Sequence, residues 1–481
     1  MIVKLNNIGI IKDSIIKIDG LTVITGDNNS GKSTIGKAIC SVINSTLNLR
    51  DKSFKEKRMY TANVVDNAIR ALNVDYYYRV ALRTKNNFVL SNGLTYLMSA
   101  SRGDYSFVFD ANDDETLKKV LLSLIEEIKT VDLSDLEEKY HRSQLGRKSM
   151  SLVDRKETAI KILQKQIENI YEDQTLTKYA GNKIILGLND AFNEQIQPVR
   201  NPNSTTKILI EDDGVIYYDV EIAGSKIKKG EYNKNPFVFA HYISDCNILD
   251  KIESRSKYDD YMKRELLKFR IGFEDDDESL ESVLIDNLIK KNNAYEMQQY
   301  AKKYDAFLKI INRAFSDEIV LNDGKYICKD SKLDIKNLAT GSKLFAILKM
   351  LLENGSINSE TLIVLDEPEN HLHPQWQLIL AEVIIKLIRK FGTKFIITTH
   401  SPNFLVALNT YSIQEKISFQ SNYYYTKRMD NNYNVKLENV NERMEEAYYA
   451  LNKPFIDINF VFDSLLGDSD DEWYWNIVQF L

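Results

Sequence analysis

The sequence predicts an α/β fold, in which a largely parallel sheet is covered by helices on both faces. Two apolar strand segments in the last third, TLIVLD and KFIITT, are separated by the helical segment PQWQLILAEVIIKLIRKFG. Near the start of the chain, short apolar strands precede a glycine-rich loop and another helical segment. Strands that are apolar throughout and alternate with helices of a dozen or more residues are typical of parallel sheets buried on both sides.

The length and composition indicate a globular protein of more than one structural unit. A chain of 481 residues is too long for one ordinary domain, and 43% hydrophobic with 27% charged residues is a usual globular composition. No apolar run approaches the roughly 18 to 20 residues that cross a bilayer, and the N-terminal segment lacks the order of a signal peptide. We therefore expect a cytoplasmic protein with no membrane association.

Cysteine usage and charge exclude several kinds of site. Cys40, Cys246 and Cys328 lie far apart and form no CxxC pair, so neither a disulfide framework nor a zinc site is indicated. A net charge of -6 argues against a uniformly basic surface for nucleic acid. Any contact with DNA or RNA is expected to use a local basic face or a partner in a complex.

The first half of the chain divides into three predicted segments. Residues 1–49 contain the strands IVKLNNIGI, SIIKI and LTVIT and the helix STIGKAICSVINSTL. Residues 50–190 carry long charged and apolar segments, and the first proline of the chain is Pro198, so a compact helical insertion is expected there. Residues 191–249 return to strands, with a hairpin predicted around Asp213–Gly214.

The second half also divides into three predicted segments. Residues 250–315 are helical and highly charged, with the acidic run FEDDDES interpreted as a solvated turn. Residues 316–430 supply the rest of the parallel sheet. Residues 431–481 form a C-terminal extension, in which Trp473 and Trp475 follow an acidic linker. These aromatic residues are suited to anchoring a partner, and docking of the tail on its own domain is the alternative.

The segment ITGDNNSGKST predicts a phosphate-binding loop. It fits the pattern GxxxxGK[ST] from Gly26 to Ser33, and it follows a strand and opens a helix as that motif requires. Glycines let backbone N–H groups approach phosphate oxygens, the lysine reaches the outer phosphates, and the hydroxyl binds Mg²⁺. A simple Gly/Asn turn is the alternative. The residues expected to contact ATP are Asn28, Asn29, Ser30, Gly31, Lys32, Ser33 and Thr34, with Ser33 also binding Mg²⁺.

The segment LIVLDEPENHLHP predicts the second half of a hydrolytic site. Its four apolar residues place Asp366 and Glu367 at the carboxyl end of a buried strand, where ligands bind in parallel sheets. We expect Asp366 to hold Mg²⁺ through water and Glu367 to polarise the attacking water as general base. Alone, the two acids would be interpreted as a solvated loop; beside a phosphate-binding loop they indicate catalysis.

Three of the five histidines lie close to this acidic segment. His400 ends the strand KFIITTH, so its ring is expected at the same sheet edge, where it can donate to a terminal phosphate. A purely structural histidine is the alternative. Glu369, His371 and His373 raise the alternative of a separate metal site, which alternate positions in a loop support only weakly.

Together these motifs resemble the ABC-type ATPase heads of the Rad50/SMC/RecF/OLD group. Gly26 to Ser33 corresponds to its Walker A motif, LIVLDEPE to Walker B and TTH to its switch histidine. The N-terminal strands are also similar to that group from the first residues, and DEPENHLHP is typical of its prokaryotic RecF/OLD-like members. The resemblance implies a P-loop ABC-type ATPase head with an antiparallel β subdomain and helical insertions.

The resemblance further implies a composite site shared by two copies. The family carries a signature segment before Walker B, which contacts the ATP of the opposite subunit, and NLATGSKLFAILK occupies this place. Thr340, Gly341 and Ser342 are the candidate contacts, and Ala339 stands where the family has serine. Read without the family, Thr340 and Gly341 are an N-cap before an amphipathic helix. A glutamine that senses Mg²⁺ is also implied, with Gln195 and Gln197 as candidates.

The implied function is an ATPase that dimerises head to head around ATP and regulates something else. NLATGSK, ILKMLLENG, DEPENHLHPQWQ and THSPNFL are most similar to Septu-type ATPases of bacterial anti-phage defence, which work with an HNH nuclease. A PARIS-type ATPase with a Toprim partner is the second hypothesis, and a DNA-repair or chromosome clamp is the third. The segment after His400 is too short for the Toprim nuclease of OLD proteins, so we expect no intrinsic nuclease and a separate nuclease subunit.

Overall fold

The computed structural model of the chain describes residues 1–72, 89–91, 94–98, 105–109, 113–130, 151–171, 176–252, 279–290, 294–323, 325–429 and 434–466. The aromatic tail and nearly all of the acidic run FEDDDES lie outside these described residues. By their contacts, the described residues form two compact units. The first unit draws on Met1–Leu47, Lys183–Ser256 and Asp277–Leu481, and the second draws on Asn48–Asn182 and Lys257–Asp276.

Strands and helices occur in mixed order along the chain. The strands are β1 (Ile2–Ile8), β2 (Ile11–Lys17), β3 (Leu21–Thr25), β4 (Val89–Ser91), β5 (Leu94–Met98), β6 (Tyr105–Phe109), β7 (Thr205–Asp212), β8 (Val215–Ala223), β9 (Lys226–Tyr232), β10 (Phe239–Ile243), β11 (Ile319–Asn322), β12 (Lys325–Cys328), β13 (Thr361–Asp366), β14 (Lys394–Thr399), β15 (Ser421–Arg428) and β16 (Val435–Asn439). The helices are α1 (Lys32–Asn44), α2 (Leu49–Ala71), α3 (Asp114–Thr130), α4 (Leu152–Tyr171), α5 (Leu176–Ala191), α6 (Leu280–Leu288), α7 (Ala294–Ile311), α8 (Thr340–Glu353), α9 (Pro374–Phe391), α10 (Pro402–Gln414) and α11 (Met444–Leu466). Short 3₁₀ turns occupy Cys246–Lys251, Ile335–Asn337 and Ser418–Gln420.

An 11-stranded mixed sheet organises the first unit, in the order β10-β13-β14-β3-β15-β16-β2-β1-β7-β8-β9. Each pair from β10 to β15 is parallel, whereas β2, β1, β7, β8 and β9 pair antiparallel. The predicted hairpin around Asp213–Gly214 is confirmed, because Asp212 of β7 pairs with Val215 of β8. The predicted α/β class, with a parallel sheet and an antiparallel β portion, is confirmed.

Helices cover both faces of the parallel part of this sheet. Along β13, Leu362 and Val364 belong to the core that contains Ile39 of α1, while Ile363 and Leu365 belong to the core that contains helices α8 and α9. Successive side chains of a strand point to opposite faces, so a strand buried on both sides must be apolar at every position. This requirement explains why the strand sequence TLIVL contains no charged residue.

The second unit combines helices with a small sheet. Helices α2, α3 and α4 share an apolar core that includes Val65, Leu121 and Leu163. The strands β4, β5 and β6 form a three-stranded antiparallel sheet in the segment predicted as a helical insertion, so that segment is not wholly helical. Its strand sequences VLS, LTYLM and YSFVF are rich in aromatic and β-branched residues, which favour strands over helices. None of the described helices is long and apolar enough to span a membrane.

Candidate nucleotide-binding site

The loop between β3 and α1 contains two glycines, at positions where a larger side chain would clash with its neighbours. Gly26 has φ 144°, and a Cβ there would lie 1.9 Å from Thr426 Oγ1. Gly31 has φ 81°, and its Cβ would lie 2.7 Å from Ile11 Cδ1. The Thr426 hydroxyl also donates to Ser30 Oγ over 2.7 Å. Strand β15 therefore fixes the loop from the side, and the glycines permit that close approach.

Asn28, Asn29 and Thr34, which are also predicted to contact ATP, take two different positions. Asn28 and Asn29 form its exposed turn, with Asn29 at φ 56°, and their carbonyl oxygens accept hydrogen bonds from Arg428. Thr34 lies half-buried in the first turn of α1, next to Gly9. Because α1 starts directly after the loop, its first backbone N–H groups face the space that phosphates would occupy.

The side chain of Lys32 folds back into the loop that precedes it. It is 4% exposed, and Nζ donates to the carbonyl oxygens of Gly26 at 3.1 Å and Asp27 at 2.9 Å. The same ammonium lies 3.4 Å from Glu367 Oε1. A buried charge needs partners, and these carbonyls and the carboxylate supply them. The two sequence motifs, separated by most of the chain, thus meet through Lys32 and Glu367.

Asp366 is the last residue of β13, and hydroxyl groups bind both of its oxygens. Ser33 Oγ donates to Oδ1 over 2.9 Å, Tyr242 OH donates to Oδ2 over 2.7 Å, and Thr398 Oγ1 donates to Oδ1. A serine hydroxyl beside one carboxylate suits Mg²⁺, which binds to few protein groups and completes its shell with water and substrate phosphates. Within the described residues, no group of three His, Cys, Asp or Glu side chains forms a metal site by itself.

Glu367 turns sharply out of the strand end. Its φ is 51°, its backbone N–H donates to Thr398, and its Oε2 accepts from Asn370 Nδ2 over 3.1 Å. Burial favours a higher pKa for this carboxyl, but the nearby Lys32 ammonium, the Asn370 amide and His400 outweigh burial and hold the pKa below its usual value. Glu367 is therefore an ionised acceptor at neutral pH, as a base toward water requires.

His400 follows β14 and lies beside two carboxylates. Its Nδ1 is 3.6 Å from Glu367 Oε1 and 3.6 Å from Glu369 Oε1, and its backbone N–H donates to Glu369 Oε1 over 2.9 Å. Lys32, Ser33, Asp366, Glu367 and His400 are thus joined by direct contacts at one edge of the sheet. The sequence had suggested Glu369 only as a metal ligand; instead it lies buried among the residues after β14.

The predicted signature segment begins helix α8. The N-cap residue is Ala339, whose side chain caps nothing, so Thr340 is the first helical residue rather than an N-cap. A Cβ on Gly341 would lie 2.8 Å from the carbonyl oxygen of His371, so the helix start packs against the loop that follows Walker B. Across the described part of the chain, no hydrogen bond joins Thr340, Gly341 or Ser342 to the phosphate-binding loop. Their N–H groups have no side-chain cap.

Other sequence candidates take structural positions. His373 is the N-cap of α9, where its Nδ1 accepts from the Gln375 N–H over 3.3 Å. Gln197 donates to the Gly224 carbonyl over 3.1 Å, and Gln195 is exposed. Tyr242, which the sequence did not single out, contacts Asp366 because β10 lies parallel beside β13. Only the pairing of these two strands reveals that contact.

A comparison with models of protein families identifies the family of this chain. The AAA ATPase domain family model matches residues 1–405. The chain belongs to that family. A curated relative, the Retron Vc95 probable ATPase of Vibrio cholerae serotype O1 biovar El Tor, is 27% identical over 240 residues, covering 44% of this chain and 46% of the relative. The match therefore spans less than half of the relative's length.

Among solved structures, heads of SMC proteins are similar to this chain. The SMC head domain from Thermotoga maritima has a TM-score of 0.35 and 11% identity, covering 91% of this chain and 98% of that chain. The Pyrococcus furiosus Smc head domain, bound to the C-terminal domain of ScpA, has a TM-score of 0.27 and 13% identity, covering 94% and 98%. Similarity this low does not identify functional residues or binding partners in this chain.

Proposed function

We propose that this AAA-family ATPase binds and hydrolyses MgATP at the edge of its parallel sheet, dimerises head to head around the nucleotide, and regulates a separate nuclease in bacterial defence against phage. The observation that carries the proposal is the convergence of Lys32, Ser33, Asp366, Glu367 and His400. Two of these side chains begin α1, which follows β3, and the other three lie at the ends of β13 and β14; the strands β13, β14 and β3 are adjacent in the sheet.

The phosphate-binding part of the site relies on Lys32. Its ammonium is held by two loop carbonyls, and each is a weaker partner for a cation than a phosphate oxygen. On binding of ATP, Lys32 exchanges these carbonyls for the outer phosphates, and the N–H groups of the loop and of α1 bind the inner ones. The Lys32 ammonium is thus available to a triphosphate, and before ATP binds it is paired with the loop carbonyls.

The metal-binding part relies on Ser33 and Asp366. Their contact through Oγ and Oδ1 places a hydroxyl and a carboxylate together, as a Mg²⁺ bound to triphosphate requires. When bound, Mg²⁺ neutralises charge on the phosphate oxygens. The Tyr242 and Thr398 hydroxyls hold the Asp366 carboxylate in one orientation, so little rearrangement is needed when the metal arrives.

The reaction itself is assigned to Glu367 and His400. Glu367 is ionised and partly exposed, so it can accept a hydrogen bond from water and take a proton as that water attacks the terminal phosphorus. His400 lies next to it and presents an imidazole donor to the phosphate oxygen on which charge increases. The Lys32 ammonium and the His400 ring then flank the transferred group.

A second copy is proposed to complete the site. Thr340, Gly341 and Ser342 start a helix whose first N–H groups have no side-chain cap, and such groups bind anions. In a head-to-head dimer these groups contact the ATP held by the other copy, as the family resemblance implies. ATP then acts as the bridge between the copies, and hydrolysis releases them.

The defence role rests on sequence resemblance to Septu-type ATPases, and the relative named as a retron ATPase agrees with a defence context. The favoured partner is an HNH nuclease, with a Toprim nuclease as the alternative, and DNA or RNA is reached through that complex. Purification from the native operon tests this assignment. An HNH subunit that co-purifies supports it, a Toprim subunit replaces it with the PARIS-type alternative, and an ATPase that is alone and strongly stimulated by DNA contradicts it in favour of a clamp.

A further inference from the structure

Glu369 occupies an unusual place beside the proposed catalytic residues. Its residue exposure is 5%, and a single oxygen, Oε1, accepts from Thr399 Oγ1 at 2.5 Å, from the His400 N–H at 2.9 Å and from the Ser401 N–H at 3.3 Å. These three donors form the turn that leaves β14. The carboxylate therefore fixes the backbone from which the His400 ring projects.

The ring of His400 also lies beside this carboxylate. Its Nδ1 is 3.6 Å from Glu369 Oε1 and the same distance from Glu367 Oε1, which is too long for a hydrogen bond, and Nδ1 has no hydrogen-bond partner among the described residues. Because the His400 side chain is 39% exposed, packing alone does not hold the ring in one orientation. The hydrogen bonds that Glu369 accepts from Thr399, His400 and Ser401 therefore determine where the ring lies.

A buried carboxylate at Glu369 destabilises the fold, so a purely structural role does not account for it well. Its second oxygen, Oε2, is buried and has no hydrogen-bond partner among the described residues. Burial raises the pKa of this carboxyl, against the hydrogen bonds from Thr399 and His400. A buried acceptor without a partner destabilises the fold, whereas a shorter polar residue or an amide would cost less. The position of the acid is better explained by its neighbour His400 than by stability.

We propose that Glu369 is a positioning residue for His400: by accepting hydrogen bonds from the backbone N–H groups of His400 and Ser401, it fixes the backbone that presents the imidazole to the terminal phosphate. This inference rests on the proposed ATPase function. Glu369 itself touches no substrate. Loss of a residue that positions a catalytic imidazole impairs turnover far more than binding.

A double-mutant cycle tests the proposal. We expect His400→Ala to lower kcat about 100-fold, in line with loss of one charge-stabilising donor. Glu369→Gln, which keeps an oxygen acceptor of the same reach, should lower kcat about tenfold through misorientation of the ring. If Glu369 acts through His400, the double variant should be no slower than His400→Ala alone. The KM for ATP and the Kd of a non-hydrolysable ATP analogue should stay within about twofold of wild type in Glu369→Gln.

The controls separate this inference from the proposed function. Glu353→Gln alters another acid whose pKa is raised by burial, at the far end of α8, and should leave kcat unchanged. ATP turnover that disappears in Lys32→Ala establishes the ATPase activity first; wild-type protein without such turnover would refute the proposed function. With turnover established, effects of Glu369→Gln and His400→Ala that multiply, or a normal kcat in Glu369→Gln, would refute only the role of Glu369. If Glu369→Gln lowers the melting temperature, Glu369→Asp replaces it in the same cycle with the same expected outcome.

Discussion

The hydroxyl of Tyr242 donates to Oδ2 of Asp366 over 2.7 Å, from the strand that lies beside β13. Burial, followed by the nearby Asp366 charge, raises the pKa of this phenol, so it remains a donor throughout the neutral range. Ser33 donates to the other oxygen of the same carboxylate. Asp366 is therefore oriented by groups on both sides, one of which lies outside the recognised motifs.

Tyr242→Phe should weaken the binding of Mg²⁺ at Asp366. The substitution removes the hydroxyl and keeps the buried ring, so a hydrogen bond to a charged group worth about 1.5 to 3 kcal/mol is lost. We expect the Mg²⁺ concentration at half-maximal ATPase rate to rise about tenfold, measured by metal titration at saturating ATP. Tyr218→Phe is the matched control, because its hydroxyl makes an equally short bond, to Thr46, at a position outside the site. Equal Mg²⁺ dependence in wild type and Tyr242→Phe would show that the tyrosine does not orient the carboxylate.

Lys32→Ala should weaken binding of the triphosphate. It removes the buried ammonium that two loop carbonyls and Glu367 surround, and with it the charge proposed to meet the outer phosphates. The Kd for ATP, measured by titration calorimetry, should rise about 100-fold, whereas binding of AMP should change little because AMP lacks those phosphates. Lys37→Ala, on the same helix, is the control and should retain wild-type affinity. Unchanged ATP affinity in Lys32→Ala would refute the phosphate assignment.

Glu367→Gln should trap ATP and accumulate the dimer. The amide cannot take a proton from the attacking water, so kcat should fall at least about 100-fold, while the Kd for ATP stays close to wild type. With ATP and Mg²⁺, size-exclusion chromatography with light scattering should then show a stable dimer that wild-type protein forms only transiently. A variant that hydrolyses ATP at the normal rate, or that stays monomeric with bound ATP, contradicts the assignment.

Deletion of residues 468–481 should leave ATP binding intact and remove association with the nuclease subunit. The deleted segment carries Trp473 and Trp475, which are suited to anchoring an interface. Nucleotide affinity and co-purification from the native operon measure the two effects separately. Substitution of the acids between residues 468 and 472 by their amides, with the tryptophans retained, is the control and should keep the partner bound. A truncated protein that still co-purifies with the nuclease would contradict the prediction.

His241→Gln should make the fold less sensitive to acid. Complete burial in β10, opposed only by the Ser356 carbonyl, lowers the pKa of His241 to about 4. Between pH 6.5 and about 4 the unfolded chain binds a proton at this residue and the folded chain does not, so stability is present above the unfolded pKa and is lost as pH falls toward the folded one. The free energy of unfolding in urea should fall by about 2 kcal/mol less between pH 7 and pH 5 in the variant than in wild type. An identical pH dependence would refute a neutral buried imidazole.

The sequence alone predicted the elements whose defining residues are neighbours along the chain. The phosphate-binding loop needs glycine at two positions and a lysine and hydroxyl at the next two, so ITGDNNSGKST is recognisable without its neighbours. The strand that ends in Asp366 is apolar at every position because both of its faces are buried, and that pattern also survives in the sequence. The hairpin at Asp213–Gly214 follows from its turn residues.

The contacts that sequence did not predict depend on strand order. Tyr242 meets Asp366 because β10 is the neighbour of β13, and Thr426 meets Ser30 because β15 is the neighbour of β3. Glu369 meets His400 because β13 and β14 end at the same edge. Neither tyrosine nor threonine in an apolar strand differs in sequence from an ordinary core residue. Pairing partners across so long a chain are fixed by packing, which single-sequence patterns do not encode.

Strand β3 lies between β14 and β15, both of which come from the last quarter of the chain. The residues that shape and complete the phosphate-binding loop, from Asp366 to Thr426, are thus made by the ribosome long after the loop itself. A chain that ends before Asp366 has the loop but neither the acidic residues nor strand β15 beside it. Such a product lacks the residues proposed to hydrolyse ATP, so synthesis must pass Thr426 before the complete site can assemble.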